Sequence, residues 1–261
     1  DIWSHNTTTC FDKLIGVNIK QYDWLLRTKL GGLVPDFLKR VVIPAVIYRL
    51  DRCSSKDIAP LSFFFSSSSS SSSLASSVPY HTWSVPLGNN IQAGELTINP
   101  PNGDPDWKHW EELDAKAFFT FNTLESTKEV WEKWPRYQVD ELFGKYANVE
   151  GIPVLLMNGD LDPIVPYWWA TWAFQHYSSV QTSRFVKVPW SVHGTHWASP
   201  VFNSTETCGV SIMWSFIKSQ GKTIDQSCLS NIIPPDWMGD MQQTQLISQQ
   251  LLGTSDLWGR L

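Results

Sequence analysis

The sequence has few charged residues, no cluster of basic residues and no long apolar run. Asp, Glu, Lys and Arg together make up 17% of its 261 residues, and the formal net charge is −5. These values argue against a nucleic-acid partner, which requires concentrated Lys and Arg. The apolar stretches are shorter than the roughly 18 to 20 residues that cross a bilayer, so no membrane span is expected.

Cysteine is also scarce, with four residues in the whole chain. No Cys-x-x-Cys pair occurs, so no zinc site is predicted, and we expect neither a metal nor another cofactor. Four cysteines permit three pairings. We favour Cys10 with Cys53 and Cys208 with Cys228, because each of these pairs closes a loop of moderate length.

Two tripeptides have the pattern of an N-glycosylation site, Asn6-Thr7-Thr8 and Asn203-Ser204-Thr205. Together with the even number of cysteines they favour an oxidising compartment, so we expect a secreted or lysosomal protein of the secretory pathway. The chain begins with Asp1 and has no signal-peptide pattern. This leads to the expectation that its true beginning lies upstream.

The first 114 residues are predicted to form a mostly helical cap. Apolar residues recur near helical spacing in "CFDKLIGVNIKQYDWLLRTKL", and a second helical stretch follows Gly31-Gly32. Eight consecutive serines, Ser66 to Ser73, belong to a predicted disordered insertion over residues 66–77, because such a run cannot bury apolar area. At the other end, residues 231–261 are predicted to be a tail with one peripheral helix.

Between residues 115 and 230 the pattern alternates between strands and helices. Strands are predicted at 115–122, 152–158 and 184–190, and helices at 126–134, 166–177 and 207–220. Such alternation is typical of a parallel sheet with helices packed on its faces. The predicted fold class is therefore α/β, with residues 115–230 as the core that carries the sheet. The helix at 166–177 contains Trp168, Trp169, Trp172 and Phe174, which we expect to be core rather than a sugar platform.

Two loops carry residues suited to acid–base chemistry. The run "LLMNGDLDPIVP" (155–166) ends a predicted strand with Asp160 and Asp162, and "PWSVHGTHW" (189–197) follows the next strand with His193 and His196. Functional groups of parallel sheets collect beyond the carboxyl ends of the strands, so these side chains are expected to meet. An Asp–His pair fixes the imidazole tautomer and lets the ring carry a proton. We predict that this pair is Asp162 and His193.

Each of these residues has a structural alternative. Asp162 is the predicted acid, but a loop aspartate also caps a following helix. Asp160 is expected to be a capping or surface residue. His196 is the alternative base, and it is otherwise expected to be a loop histidine that packs against Trp197.

The motif Gly159-x-x-Asp162 with Pro166, followed by His193-Gly194 after the next strand, resembles the acid and histidine segments of α/β-hydrolases. The finer likeness is to secreted serine peptidases akin to tripeptidyl and prolyl aminopeptidases. It is carried by "WPRYQVDELFGKYANVEGIPVLLMNGDLDPIVP" and "TCGVSIMWSFIKSQGKTIDQSCL", and it covers residues 134–230 best and 36–62 more faintly. The resemblance implies a serine hydrolase that acts on peptide amino termini, with Asp162 and His193 as two members of its triad.

The sequence departs from this family in two respects, because it contains neither a Gly-x-Ser-x-Gly elbow nor the oxyanion-hole loop expected upstream. The nearest stretch, "GVSIM" (209–213), lacks the second glycine and follows His193, whereas the family order is serine, acid, histidine. We therefore expect the cap and the carboxy-terminal half of a longer hydrolase, inactive by itself, whose substrate is a peptide or a small acyl compound. The alternatives are an esterase or lipase-like hydrolase, and a secreted hydrolase-like protein that binds ligands without catalysis.

Overall fold

The computed structural model describes residues 10–14, 22–66, 86–87, 91, 107–119, 128–129, 133, 140–143 and 145–260. The chain divides into two compact units. The first unit comprises residues 1–67 and 148–261, and the second comprises residues 68–147. The boundaries that we predict between cap, core and tail, at 114/115 and 230/231, stay a prediction.

Within the described ranges there are seven α-helices, two short 3-10 helices and two strands. The α-helices are α1 Tyr22–Gly31, α2 Val42–Arg52, α3 Ser55–Ser66, α4 Trp107–Lys116, α5 Tyr167–Gln175, α6 Cys208–Lys218 and α7 Gln242–Leu252. The 3-10 helices are Lys39–Val41 and Ser227–Asn231, and the strands are β1 Leu155–Gly159 and β2 Arg184–Val188. None of the described helices is long and apolar enough to cross a membrane.

The two strands form a small parallel sheet. Leu155 pairs with Arg184 at one end of the register, and Gly159 pairs with Val188 at the other. Parallel neighbours need a crossover connection, which is supplied by α5. The strand, helix, strand, helix order predicted for residues 152–220 is confirmed, with β1 shifted towards Gly159.

Side chains alternate across strand β2, as the pleat of a strand requires. Val186 and Val188 are buried in one cluster with Cys208 and Ile212 of α6. The neighbouring Phe185 instead stacks on Phe174 of α5, with ring centroids 5.5 Å apart. Helices thus cover both faces of the sheet, and the chain has the mixed α/β character that was predicted.

The helices before residue 67 pack against the last helix of the chain. Helix α7 contacts α2, α3 and the 3-10 helix Lys39–Val41. Its buried residues are Thr244, Ser248 and Leu252. The helix predicted within residues 231–261 is therefore present, but it is not peripheral, because it shares a core with the amino-terminal helices.

A buried ion pair joins α2 to α3. The Arg49 guanidinium donates to Oδ1 of Asp57 at 3.1 Å, and the two side chains are 1% and 0% exposed. Burial by itself raises the pKa of the Asp57 carboxyl, but hydrogen bonds from Arg52 and Ser54 lower it to about 2. Arg49 also donates to the Leu257 carbonyl at 3.0 Å, which fastens the end of the chain to α2.

Both predicted disulfides are present. Cys10 is bonded to Cys53 with a Cα separation of 5.6 Å, and Cys208 is bonded to Cys228 with a Cα separation of 5.4 Å. The first bridge lies at the carboxyl end of α2, where Cys53 is the C-cap residue. The second ties the first residue of α6 to the 3-10 helix Ser227–Asn231.

The strand predicted at 115–122 is wrong for its described residues. Ala115 and Lys116 end helix α4, and residues 117–119 are not in a strand. The run "WKHWEELDAK" contains several good helix formers, and Ala115 and Lys116 extend the helix up to the aromatic pair that suggested a strand. Residues 120–122 and most of the helix predicted at 126–134 lie outside the described residues.

The insertion predicted at 66–77 is described at its first residue alone, and there the prediction is wrong. Ser66 is the last residue of α3, and its hydroxyl donates to the Ser62 carbonyl at 2.5 Å. This is the bond to the carbonyl of residue i−4 that serine commonly forms within a helix. Residues 67–77 lie outside the described residues.

The tryptophans of α5 are not core residues, so that expectation is wrong. Trp168, Trp169 and Trp172 are 65%, 58% and 58% exposed. Helix α5 reaches the sheet through Tyr167 and Phe174, which both contact Phe185.

Candidate active site

The loop after β1 lies directly against the loop after β2. The N–H of Asp160 donates to the Val188 carbonyl, and the N–H of Leu161 donates to the Ser191 carbonyl, both at 3.1 Å. Gly159 makes this approach possible, because a Cβ at this position would lie 2.2 Å from the Ser191 carbonyl oxygen. The apolar run ends in glycine for a steric reason, since the two loops touch there.

The carboxylate of Asp162 is held by both of its oxygens. Oδ1 accepts hydrogen bonds from the N–H groups of Ile164 at 2.8 Å and Val165 at 2.9 Å, and Oδ2 faces Nδ1 of His193 at 3.0 Å. Buried Asn158 closes the same loop by donating from Nδ2 to the Val165 carbonyl at 3.0 Å. Asp162 therefore caps its own turn rather than α5, whose first turn has no side-chain cap. Its orientation towards the histidine is fixed.

His193 stands on the turn that follows β2, after the buried residues Ser191 and Val192. The next residue, Gly194, has φ +76°, and a Cβ there would lie 2.5 Å from the Trp197 indole, so the turn depends on glycine. The imidazole side chain is 45% exposed, whereas the Asp162 side chain is 3% exposed. Because Nδ1 faces the carboxylate, the neutral ring carries its proton on Nδ1 and its lone pair on Nε2.

The alternative base, His196, has a different set of contacts. Its ring packs against that of Trp197 with centroids 4.0 Å apart, as expected for a loop histidine, and its carbonyl accepts from the Thr207 hydroxyl. Among the described residues, His193 is the one histidine hydrogen-bonded to the Asp162 carboxylate. The hydrogen bond predicted between residues 162 and 193 is therefore present.

Arg40 reaches the acid loop from the 3-10 helix Lys39–Val41. Its guanidinium donates to the Leu161 carbonyl at 3.4 Å. Burial lowers the pKa of Arg40, and the charge of Asp160 opposes that shift. Asp160 was expected to cap a helix or lie on the surface. Its Oδ1 is instead buried without a hydrogen-bond partner among the described residues, and its negative charge acts on Arg40 through space.

Three residues that support the candidate site are not predicted from the sequence. The sequence contains a signal for Asn158, since a polar side chain at the end of an apolar run needs hydrogen-bond partners for its amide. It contains none for Arg40, because 121 residues separate this residue from Leu161. Ser199 also lacks a signal, although its fully buried hydroxyl donates to the Thr195 carbonyl at 2.6 Å.

The geometry suits the relay of a proton. A buried carboxylate that orients a half-exposed imidazole is the arrangement that lets the ring accept a proton and later release it. Within the described ranges, no group of three or more His, Cys, Asp or Glu side chains is placed to hold a metal ion.

Neighbouring parallel strands that deliver a carboxylate and an imidazole to the same edge of a sheet are a feature of α/β-hydrolases. Residues 118–228 match the family model described as TAP-like protein, and this stretch contains both Asp162 and His193. The stretch is therefore a TAP-like domain and a member of the α/β-hydrolase superfamily, as its motifs suggested. The match covers less than half of the chain. No curated protein and no solved structure gives a match.

Proposed function

We propose that the chain contributes the acid and the base of a Ser–Asp–His triad in a serine peptidase that acts on peptide amino termini. Asp162 is the acid and His193 is the base. The TAP-like domain implies a hydrolase, and the choice of peptide amino termini rests on the resemblance of residues 134–230 to aminopeptidases. The observation that carries the proposal is the 3.0 Å contact between Nδ1 of His193 and Oδ2 of Asp162.

In this reaction Nε2 of His193 takes the proton of the attacking serine hydroxyl. The Asp162 carboxylate stabilises the imidazolium that forms, and the ring then returns the proton to the leaving amine. The N–H groups of Ile164 and Val165 keep the carboxylate in place throughout. The chain's own residues thus supply orientation and proton transfer.

The serine nucleophile is proposed to lie outside these 261 residues. The sequence contains no Gly-x-Ser-x-Gly elbow. Ser211, at the centre of "GVSIM", lies on helix α6, and its hydroxyl donates to the Glu206 carboxylate at 2.9 Å. A helical serine bound to a carboxylate does not have the exposed strand-to-helix turn that activates the nucleophile in these enzymes. The 261-residue chain by itself is therefore expected to show no turnover.

The decisive experiment uses the protein encoded by the complete reading frame. A fluorophosphonate probe should label one serine in that protein and none in the 261-residue chain. Peptide amides with a free amino terminus should be cleaved, and acetylation of that terminus should remove most of the activity. Equal cleavage of blocked and unblocked peptides would contradict the exopeptidase assignment.

Two other readings give different outcomes in the same assays. An esterase or lipase-like enzyme would hydrolyse acyl esters and leave peptide amides intact, since a triad alone does not select the acyl group. The absence of an elbow in this chain also favours a secreted hydrolase-like protein that binds ligands without catalysis. A complete reading frame without any elbow serine, and without probe labelling, would support that third reading.

We also propose that the protein belongs to the secretory pathway. The two disulfides need an oxidising compartment. Asn203, the first residue of a glycosylation tripeptide, is exposed on a turn between the histidine loop and α6. Secretion of the protein by cells that express the complete reading frame would test this location.

A further inference from the structure

The loop that carries His193 is held by contacts that lie on its carboxyl side. The hydroxyl of Ser199 donates to the Thr195 carbonyl at 2.6 Å and accepts from the N–H of Gly209 at 2.9 Å. The Ser199 carbonyl accepts from the N–H of Cys208 at 2.9 Å. Ser199 is fully buried, so it joins the histidine loop to the first turn of α6 through three hydrogen bonds.

Helix α6 presses against this loop at a second point. Thr207 is the N-cap residue of α6, and its hydroxyl also donates to the His196 carbonyl. A Cβ on Gly209 would lie 2.4 Å from the Thr195 carbonyl oxygen and 2.7 Å from Cα of His196. The helix end and the loop are thus in contact backbone to backbone, and no side chain fits between them.

The segment after the loop is held from another direction. Val201 forms an antiparallel bridge with Ile232, and the N–H of Ile233 donates to the Pro200 carbonyl at 2.9 Å. Residues 231–233 include the last residue of the 3-10 helix Ser227–Asn231 and the two residues after it, and this helix carries Cys228. The disulfide between Cys208 and Cys228 therefore joins the two segments that grip residues 195–201.

We propose that Ser199 and the Cys208–Cys228 disulfide form a positioning unit for the His193–Asp162 pair. We call this unit the histidine-loop clamp. Holding the loop between α6 and residues 231–233 sets the direction in which His193 presents Nδ1 to the carboxylate. The consequence for catalysis rests on the proposed function, but the consequence for the histidine itself does not.

The second disulfide of the chain is a matched control. Cys10–Cys53 spans 43 residues of sequence and Cys208–Cys228 spans 20, so loop-closure entropy alone predicts the larger loss of stability when Cys10–Cys53 is removed. If Cys208–Cys228 only stabilised the fold, any effect of disulfide removal on His193 would follow the same order as the loss of stability. A positioning role of the clamp affects the His193 ring only when Cys208–Cys228 is removed.

The test is an NMR measurement on the 261-residue chain with ¹⁵N-labelled histidine. In the unaltered chain, His193 should show an Nδ1-protonated ring with a slowly exchanging Nδ1–H, and Asp162→Asn should identify that signal by changing it. The double replacement Cys208→Ser with Cys228→Ser should cause loss of the slowly exchanging proton and a mixture of ring tautomers. The double replacement Cys10→Ser with Cys53→Ser should leave the His193 spectrum unchanged.

Removal of one hydroxyl oxygen tests the same clamp without changing a disulfide. This variant tests the proposal even if the cysteine variant fails to fold. Ser199→Ala should also cause loss of the slowly exchanging Nδ1–H. Ser248→Ala is its control, because Ser248 is equally buried and its hydroxyl has no hydrogen-bond partner among the described residues. Folded Ser199→Ala protein with an unchanged His193 spectrum would overturn the proposal. The NMR experiment measures no turnover. Its result therefore stays valid even if the complete protein shows no peptidase activity.

Discussion

His193 and Asp162 are 31 residues apart in sequence, and their side chains meet at 3.0 Å. The meeting follows from the parallel register, in which Gly159 and Val188 are paired at the ends of adjacent strands. Each strand therefore releases its loop at the same edge of the sheet. The pair is then oriented by N–H groups on the aspartate and by α6 on the histidine loop.

The two histidines of this loop should differ sharply in their contribution to activity. In the protein encoded by the complete reading frame, His193→Ala should reduce kcat/KM by at least about 10³-fold, because the nucleophile loses its base. His196→Ala should leave kcat/KM within about threefold, since His196 packs against Trp197 instead. Steady-state hydrolysis of an unblocked peptide amide measures both values.

Thermal denaturation of the same two variants supplies the control. If both variants lose a comparable amount of stability, their difference in activity arises from the loss of the catalytic base and not from unfolding. If His196→Ala were the inactive variant, the base would be assigned to the wrong histidine.

Gly159 should tolerate no side chain. A Cβ there would lie 2.2 Å from the Ser191 carbonyl oxygen, so Gly159→Ala should push the loops after β1 and β2 apart and cost about 2 kcal/mol or more of unfolding free energy. Gly32→Ala is the matched control, because its Cβ would make an ordinary contact at 3.5 Å with the Thr28 carbonyl. Its effect should stay within about 1 kcal/mol. Urea denaturation measures both, and equal midpoints would contradict the close approach of the loops.

The contact between Asp162 and His193 could be predicted because it depends on local signals that a parallel sheet combines. Each signal can be recognised within its own segment: one apolar run ends in glycine and aspartate, and a second run ends in His193-Gly194. Sheet topology then brings the two ends together. The disulfides could be predicted for a similar reason, since four cysteines leave few pairings.

Other features depend on how much surface the rest of the fold provides. Trp168 lies at helical spacing with other aromatics and looks like a core residue, but its side chain is 65% exposed. Arg40 could not be predicted as a neighbour of the acid loop, because no local pattern relates it to Leu161. The strand predicted from residue 115 failed where Ala115 and Lys116 prolonged α4, a case in which helix propensity outweighed an apolar run.

The buried carboxylate of Asp57 should make stability fall in acid. Its pKa is lowered from an ordinary 3.8 to about 2, so the folded state binds the proton less readily than the unfolded state. The contribution is therefore complete above about pH 4 and is lost as the pH falls through 2, and it amounts to about 2 kcal/mol. Chemical denaturation at several pH values between 2 and 6 should reveal this decline.

Asp57→Asn provides the comparison for that titration. This variant should be less stable near neutral pH, because it leaves Arg49 buried without its carboxylate partner. Its decline between pH 4 and 2 should be shallower than that of the unaltered chain by the same 2 kcal/mol or so. Parallel curves for the two proteins would show that Asp57 is not the group responsible.

Asn203 should carry a glycan when the complete reading frame is expressed in a secretory eukaryotic host. The residue is exposed on a turn with φ +56°, and the acceptor tripeptide is completed by the exposed Thr205. An asparagine on such a turn is accessible to a bulky, solvated modification. Asn203→Gln and Thr205→Ala should each remove one glycan, seen as the loss of one glycosidase-sensitive step in gel mobility. Asn231→Gln changes an exposed asparagine outside any acceptor tripeptide and should leave the mobility unchanged. An unmodified Asn203 peptide in the mass spectrum of the secreted protein would contradict this assignment.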